Sequence, residues 1–380
     1  MGIKETEKKF TASTCRRAEI VAFKGRGAVL TDILGDRFVD FGGGGAACTL
    51  GFGNKKWTKA VIKQVKRAPF AGNAYFSRPV AEFAKQLCRR AKMKEAFFAS
   101  SADAANECAI LAARKYSADK YGAGRHTVAV LENSFHGYSL AALSAAGALA
   151  EGCGPAAEGF ISLPANDADA LSAALDGSVC AVMIETVQRK TLAALEREYL
   201  EKLAELCKKK DVLLIADETF TGGGRTGQLF AYMNYGLAPD VVTASAGFGG
   251  PLGAALFGEK TAGTLACGVY GAQGGGDPAV CAGALAVLNA LNEKMAETVR
   301  TYGRRMREVL AECDKVKRFG GLGMLVGLEV DNALAVQREC FDRGLLVQTE
   351  GEHIVVLTPP LNIDEETLES GLNALKNALG

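Results

Sequence analysis

Four short apolar runs organise the middle of the chain, at 127–131, 180–184, 212–216 and 240–244. Each is rich in Val, Ile or Leu along most of its length, as are strands buried on both faces of a parallel sheet. Amphipathic stretches separate these runs. In 196–210, Leu200, Leu203, Leu206 and Cys207 recur at helical spacing, and Lys208, Lys209 and Lys210 close the stretch where cations suit a helix dipole. This alternation predicts an α/β architecture built on a doubly wound sheet. Ahead of it, residues 1–45 predict a short helix or tail and two strands near 28–31 and 37–41, punctuated by glycines 42–45. From about 280 the pattern predicts a smaller α+β unit. It has one long helix over 279–315, strands near 324–330 and 353–358, and a closing helix through Leu368, Leu372, Leu375 and Leu379. The Ala- and Gly-rich stretch 140–158 suits either tight packing or a flexible loop.

With 380 residues the chain is long enough for two domains and a deep core. Basic and acidic side chains number 44 and 43, a net charge of +1 that points to neither nucleic acid nor an anionic membrane surface. Residues 1–10 are studded with Lys and Glu, so no secretory leader is expected, and no uncharged apolar run approaches the roughly 20 residues a membrane helix needs. The 11 cysteines form no C-x-x-C pair and only 3 histidines are present. Reduced thiols in a cytoplasmic protein are therefore expected, with no metal site.

Three junctions carry candidate chemistry. The strand 212–216 runs into Asp217-Glu218 and then a glycine-rich turn ending Gly224-Arg225-Thr226-Gly227. A carboxylate beyond the carboxyl end of such a strand can hold a protonated ring nitrogen or a metal, or merely cap the next turn, and spacing alone favours the cap. Ser101-Ala102-Asp103 opens a helix that carries Lys115. That junction can offer backbone N–H groups to a phosphate, or Ser101 can be a plain N-cap. In Asn133-Ser134-Phe135-His136-Gly137-Tyr138, Phe135 can stack on a flat ligand or fill core. His136 can be a base, although a structural hydrogen bond is the simpler role for a lone turn histidine. The stretch Ala246-Gly247-Phe248-Gly249-Gly250 lacks the Lys-Ser/Thr of a nucleotide P-loop.

In this order the motifs resemble the acetylornithine/ornithine aminotransferase group of the class-III aminotransferases. The anchors are Phe38-Val39-Asp40-Phe41, Asn106-Glu107, Asn133-Ser134-Phe135-His136-Gly137, Glu185-Thr186-Val187-Gln188, Asp217-Glu218, Gly224-Arg225-Thr226-Gly227, Pro239-Asp240-Val241-Val242-Thr243 and Pro359-Pro360-Leu361. The resemblance implies the type I fold of pyridoxal-phosphate (PLP) dependent transferases, with a mostly parallel doubly wound sheet in the large domain and a smaller α+β domain. It also implies a homodimer with its sites at the subunit interface. The expected divisions are 1–45, joining the small domain, 46–279, the large domain, and 280–380, the C-terminal small domain.

Matched residue by residue, two cofactor roles survive. Asp217 corresponds to the Asp that holds the pyridine nitrogen protonated, and Phe135 to the aromatic that stacks on the ring. The Schiff-base lysine position reads Ala246, in a register free of gaps from Asp217. The phosphate cradle reads Ser101, Ala102 and Asp103, and an Asp beside a phosphate dianion repels it. Phe220 replaces the Gln that contacts the ring oxygen, and Gln273 the Thr that reaches the partner subunit's phosphate. On the substrate side, Tyr138 and Val356 replace arginines, and Lys190 replaces the Glu that follows Gln-Gly.

A methyl group cannot hold the cofactor, leave as an amine or shuttle a proton, so loss of ordinary transamination is expected. The expected cofactor is PLP held weakly and without a covalent bond, if at all. The expected role is that of a binding or regulatory pseudoenzyme, as a homodimer or paired with an active paralogue. Two alternatives stand beside it. One is altered chemistry with a relocated amine, for which Lys190 is the candidate. The other is a Lys-to-Ala trap of an active enzyme, which accounts for Ala246 but not for Tyr138, Phe220, Gln273, Val356 and Asp103.

Overall fold

The computed structural model describes residues 2–68 and 75–380. A seven-stranded sheet dominates it. Its strands are β4 (Glu95–Ala99), β5 (Thr127–Leu131), β6 (Phe160–Leu163), β7 (Val179–Ile184), β8 (Leu213–Glu218), β9 (Val241–Ala244) and β10 (Gly253–Phe257). They lie in the order β4-β10-β9-β8-β7-β5-β6. All pairings are parallel except those of β10, which runs antiparallel to both β4 and β9. Every residue of β7 and β8 is buried, as their apolar sequences require of central strands.

A second sheet joins the two ends of the chain. Strands β1 (Ala22–Arg26), β2 (Val29–Asp32) and β3 (Arg37–Asp40) form an antiparallel meander, and β13 (Leu345–Leu346) pairs parallel to β3. The third sheet holds β11 (Arg318–Gly320), β12 (Val326–Glu329), β15 (Ile354–Leu357) and β14 (Gln348–Glu350), in that order and antiparallel throughout.

Helices α1 (Ile3–Phe10), α2 (Lys55–Val65), α3 (Arg78–Ala91), α4 (Ala102–Tyr121), α5 (Leu140–Ala145), α6 (Ala168–Ala174), α7 (Arg197–Lys210), α8 (Pro278–Ala290), α9 (Glu293–Leu310), α10 (Ala333–Asp342) and α11 (Glu365–Leu379) complete the chain. In α7 the residues at helical spacing, Leu200, Leu203, Leu206 and Cys207, are all buried. No described helix is long and apolar enough to cross a membrane.

The single long helix expected over 279–315 is two helices. Leu291 leaves helical geometry at ψ 88°, and Asn292 restarts the chain as an N-cap whose side chain accepts from the Met295 amide. A side chain that satisfies an orphan amide makes a new helix start without proline or glycine. The stretch 140–158, left open from sequence, contains the short helix α5. Strands β1, β6, β10, β11, β13 and β14 are not anticipated by apolar runs; they are short, and β13 spans only 2 residues.

Candidate functional site

The site assembles where β5, β7, β8 and β9 end, as an open α/β sheet dictates. Asp217, near the end of β8, is buried and accepts from five groups, the longest bond coming from the Thr243 hydroxyl on β9 at 3.4 Å. Asn106 Nδ2 lies 2.9 Å and His136 Nδ1 2.8 Å from its Oδ2, and the Thr219 amide and hydroxyl lie 2.9 and 2.7 Å from its Oδ1. Asn106, from α4, also donates to the His136 carbonyl at 2.7 Å and so locks the turn after β5 onto the helix. The His136 ring makes the structural hydrogen bond, and its Nε2 is buried with no partner among the described residues.

Electrostatics bind this group together. Burial works against charge on both partners, but mutual attraction and hydrogen bonding outweigh it. The His136 imidazole is held above its ordinary value and the Asp217 carboxyl below its own. Glu185, at the end of β7, accepts from the Phe135 amide at 2.8 Å and the Arg189 amide at 3.2 Å. Burial pushes its carboxyl up to about 7 despite the favourable charge of His136. Glu218 is also pushed up to about 7 by burial, yet it points elsewhere. It accepts from Thr221 Oγ1 and from the amides of Ala231 and Tyr232, which makes it a bracket for the turn at 231–235.

Phe135 is half-buried. The ring of Tyr138 meets it edge-on, with centroids 5.0 Å apart, while Tyr138 itself is exposed. Arg189 is the residue that sequence reasoning passed over. Its guanidinium carbon lies 4.7 Å from the Phe135 centroid and 5.1 Å from that of Phe220, and its Nε lies 3.6 Å from Glu350 on β14. The available signal was its place in the Gln188-Arg189-Lys190 triplet, between two positions already singled out. Lys190 is half-buried, and no ion pair links it to a described residue.

Three candidate positions converge on one apolar wall. Phe220 and Val356 belong to a buried cluster with Val187, Leu192, Leu325 and Ile354, and Ala246 packs against it. Ala246 opens a short turn after β9, and its amide donates to the Thr219 carbonyl at 3.1 Å.

The Ser101-Ala102-Asp103 junction sits at the start of α4. Ser101 Oγ accepts from the Ala104 amide at 3.2 Å, so the plain N-cap is present. Asp103 Oδ1 accepts from the Tyr138 amide at 2.5 Å. Gly137 permits that approach. Its φ is +124°, and a Cβ there would lie 2.3 Å from Asp103 Oδ1. The carboxylate therefore sits in the first turn of α4, held by the Tyr138 amide, and puts a negative charge where an external anion would otherwise be welcome. Gln273 is exposed and makes no hydrogen bond to a described residue.

Comparison with known proteins follows the same lines as the geometry. Residues 11–379 match the family described as aminotransferase class-III. The chain is 37% identical over 386 residues to the acetylornithine aminotransferase of Haemophilus ducreyi, covering 99% of this chain and 98% of the relative. It is 35% identical over 385 residues to that of Caldanaerobacter subterraneus subsp. tengcongensis, covering 98% of both. Among solved structures, the N-acetylornithine aminotransferase of Stenotrophomonas maltophilia superposes with a TM-score of 0.86 at 27% identity, covering 99% of this chain and 98% of that one. The ornithine aminotransferase of Toxoplasma gondii gives a TM-score of 0.93 at 24% identity, covering 99% and 93%, a likeness of fold.

Proposed function

We propose, on the premise that the chain belongs to the class-III aminotransferase family, that it has lost transamination and acts as a binding or regulatory protein on that scaffold. The family implies PLP as cofactor, and aminotransferases of this family are typically homodimers. The observation that carries the proposal is the apolar wall. Ala246, Phe220 and Val356, assigned by resemblance to the lysine, the ring-oxygen contact and a carboxylate-binding arginine, pack into one cluster of hydrocarbon. A chance loss of one polar group leaves its partners unsatisfied, at about 1–3 kcal/mol each. Mutually packed apolar replacements avoid that cost.

The residues present do not fit PLP as the family holds it. At the phosphate end, the Asp103 carboxylate occupies the start of α4. At the aldehyde end, a methyl group offers no amine. In between, the Arg189 guanidinium covers a face of Phe135. Asp217 still suits a protonated ring nitrogen by charge, but its two oxygens already accept five hydrogen bonds. No catalytic step through the cofactor is derived from these residues.

The proposal extends to a cytoplasmic homodimer, or a dimer with an active paralogue. The 11 cysteines, all free, support a reducing compartment. The test is turnover. Purified wild-type protein supplied with PLP, glutamate as amino donor and an aldehyde as amino acceptor is expected to form no 2-oxoglutarate above a blank, and steady formation overturns the proposal.

A second reading rests on Lys190, which is half-buried and without an ion pair among the described residues. It would serve as a relocated amine. Borohydride reduction with PLP, followed by peptide mapping, decides this. A label on Lys190 supports the relocated amine, and no labelled lysine removes it.

A further inference from the structure

The net charge of +1 conceals a division. Residues 41–94 hold 12 of the 44 basic side chains and 1 of the 43 acidic ones, Glu82, so the rest of the chain carries a surplus of acid. Glu82 lies 3.8 Å from Arg78 on α3, which leaves α2 without a countercharge from its own segment. Helix α2 concentrates the excess. Lys55, Lys59 and Lys63 recur every fourth residue, Lys56 stands in the first turn, and Lys66 and Arg67 follow at the end. All six are exposed, and no ion pair links them to a described residue.

This pattern runs against what stabilises a helix. Cations in the first turn oppose the helix dipole, and like charges at i and i+4 repel. Packing of the opposite face holds α2 in place instead. A Cβ on Gly283 of α8 would lie 2.8 Å from Trp57 Nε1 and 3.0 Å from Val61 Cγ2. A surface that breaks local rules with no gain to the fold marks a function.

The outer face is not only cationic. Ile62 and Val65, 49% and 48% exposed, lie three residues apart along its flank. Nucleic acid is gripped by arginine forks and by aromatic rings that stack on bases. Five of these six cations are lysines, and the one aromatic residue of α2, Trp57, packs toward α8. A membrane takes up a helix through its apolar face, and that face of α2 is already spent on α8. A second copy meeting this surface through its own α2 would set lysine against lysine. An acidic helix fits instead. Its carboxylates at every fourth residue rise about 6 Å per step, the step of Lys55, Lys59 and Lys63, and aliphatic side chains beside them would cover Ile62 and Val65.

We infer that the outer face of α2 is a docking surface for an acidic amphipathic helix of a partner protein. None of its residues belongs to the candidate site, so the inference does not depend on the loss of transamination.

The probe is a fluorescein-labelled helical peptide with glutamates along one face flanked by leucines, titrated with full-length wild-type protein and read by fluorescence anisotropy. The peptide is expected to bind. Oligouridylate and phosphatidylserine vesicles are expected to displace it at least tenfold less effectively than unlabelled peptide at equal anionic charge. Lys59→Glu combined with Lys63→Glu is expected to weaken binding at least tenfold and to retain the wild-type near-ultraviolet circular dichroism. Lys208→Glu combined with Lys209→Glu, the same change of charge at the end of α7, is expected to bind as wild type. Ile62→Ser, which leaves the charge alone, is expected to weaken binding at least threefold. The inference is overturned if wild-type protein does not bind the peptide, if the two double variants bind alike, if Ile62→Ser binds as wild type, or if oligouridylate or the vesicles compete as well as the peptide.

Discussion

Asp217 and Ala246 lie at the ends of neighbouring strands, with Asp217 in register with Thr243 across the β8–β9 pair, and they carry opposite messages. Asp217 retains a full set of donors from α4, the turn after β5 and its own turn. Ala246 packs against an apolar cluster, and its backbone bonds to the Thr219 carbonyl and the Gly249 amide. On the proposed assignment, supplying an amine at Ala246 alone therefore leaves most of the proposed deficit in place. Truncating one partner of a buried charged pair costs about 2–5 kcal/mol, so the absent carboxylate contact by itself holds activity at least about 30-fold down. Ala246→Lys is expected to remain at least that far below an active acetylornithine aminotransferase assayed alongside it. Full recovery in one step would mean that Ala246 is an isolated trap. The polar half of this site was legible in the sequence, because Asp217, Phe135 and His136 follow buried strands at their carboxyl ends. Arg189 was not, because no periodicity signals a side chain that folds back over an aromatic ring from a turn.

Elements were legible in proportion to their burial. β7 and β8 are buried along their whole length and read directly as apolar runs. β10 is equally buried, but its Gly253-Ala-Ala start carries little β preference, and it runs against its neighbours. The α8–α9 junction escaped because Leu291-Asn292 contains neither glycine nor proline, and only the Asn292 cap marks it. Helix α9 also shows how closely the elements pack. A Cβ on Gly303 would lie 2.1 Å from the Gly323 carbonyl oxygen. Gly303→Ala must push α9 off that turn, and is expected to cost about 1–3 kcal/mol. Urea unfolding checks this, with the midpoint lowered and the slope unchanged. An unshifted midpoint would show that the helix and turn part freely.

At the scale of the whole molecule, buried acids give the fold a characteristic pH dependence. Glu185 and Glu218 are raised from 4.5 to about 7, so the folded protein keeps protons there that the unfolded chain has released. Stability from these groups is full below their ordinary value and is lost as pH rises through about 7. His136 has the same sign, because its folded value is raised and its contribution fades as pH climbs through it. Asp217 has the opposite sign, and its contribution is lost only as pH falls below the ordinary aspartate range. The melting temperature is expected to decline between roughly pH 5 and pH 8. Glu218→Gln, which keeps the shape and loses the titration, is expected to flatten that decline. A melting temperature that rises over the same interval would contradict the burial argument.

The central claim is that an aminotransferase scaffold persists here around a pocket that no longer holds the cofactor through a lysine. The absorption spectrum of the purified wild-type protein, recorded with and without added PLP, tests it most directly. The expected result is the sum of the separate spectra of protein and free PLP, with the added PLP lost on gel filtration. A new band from a lysine-linked cofactor that survives gel filtration would contradict the claim.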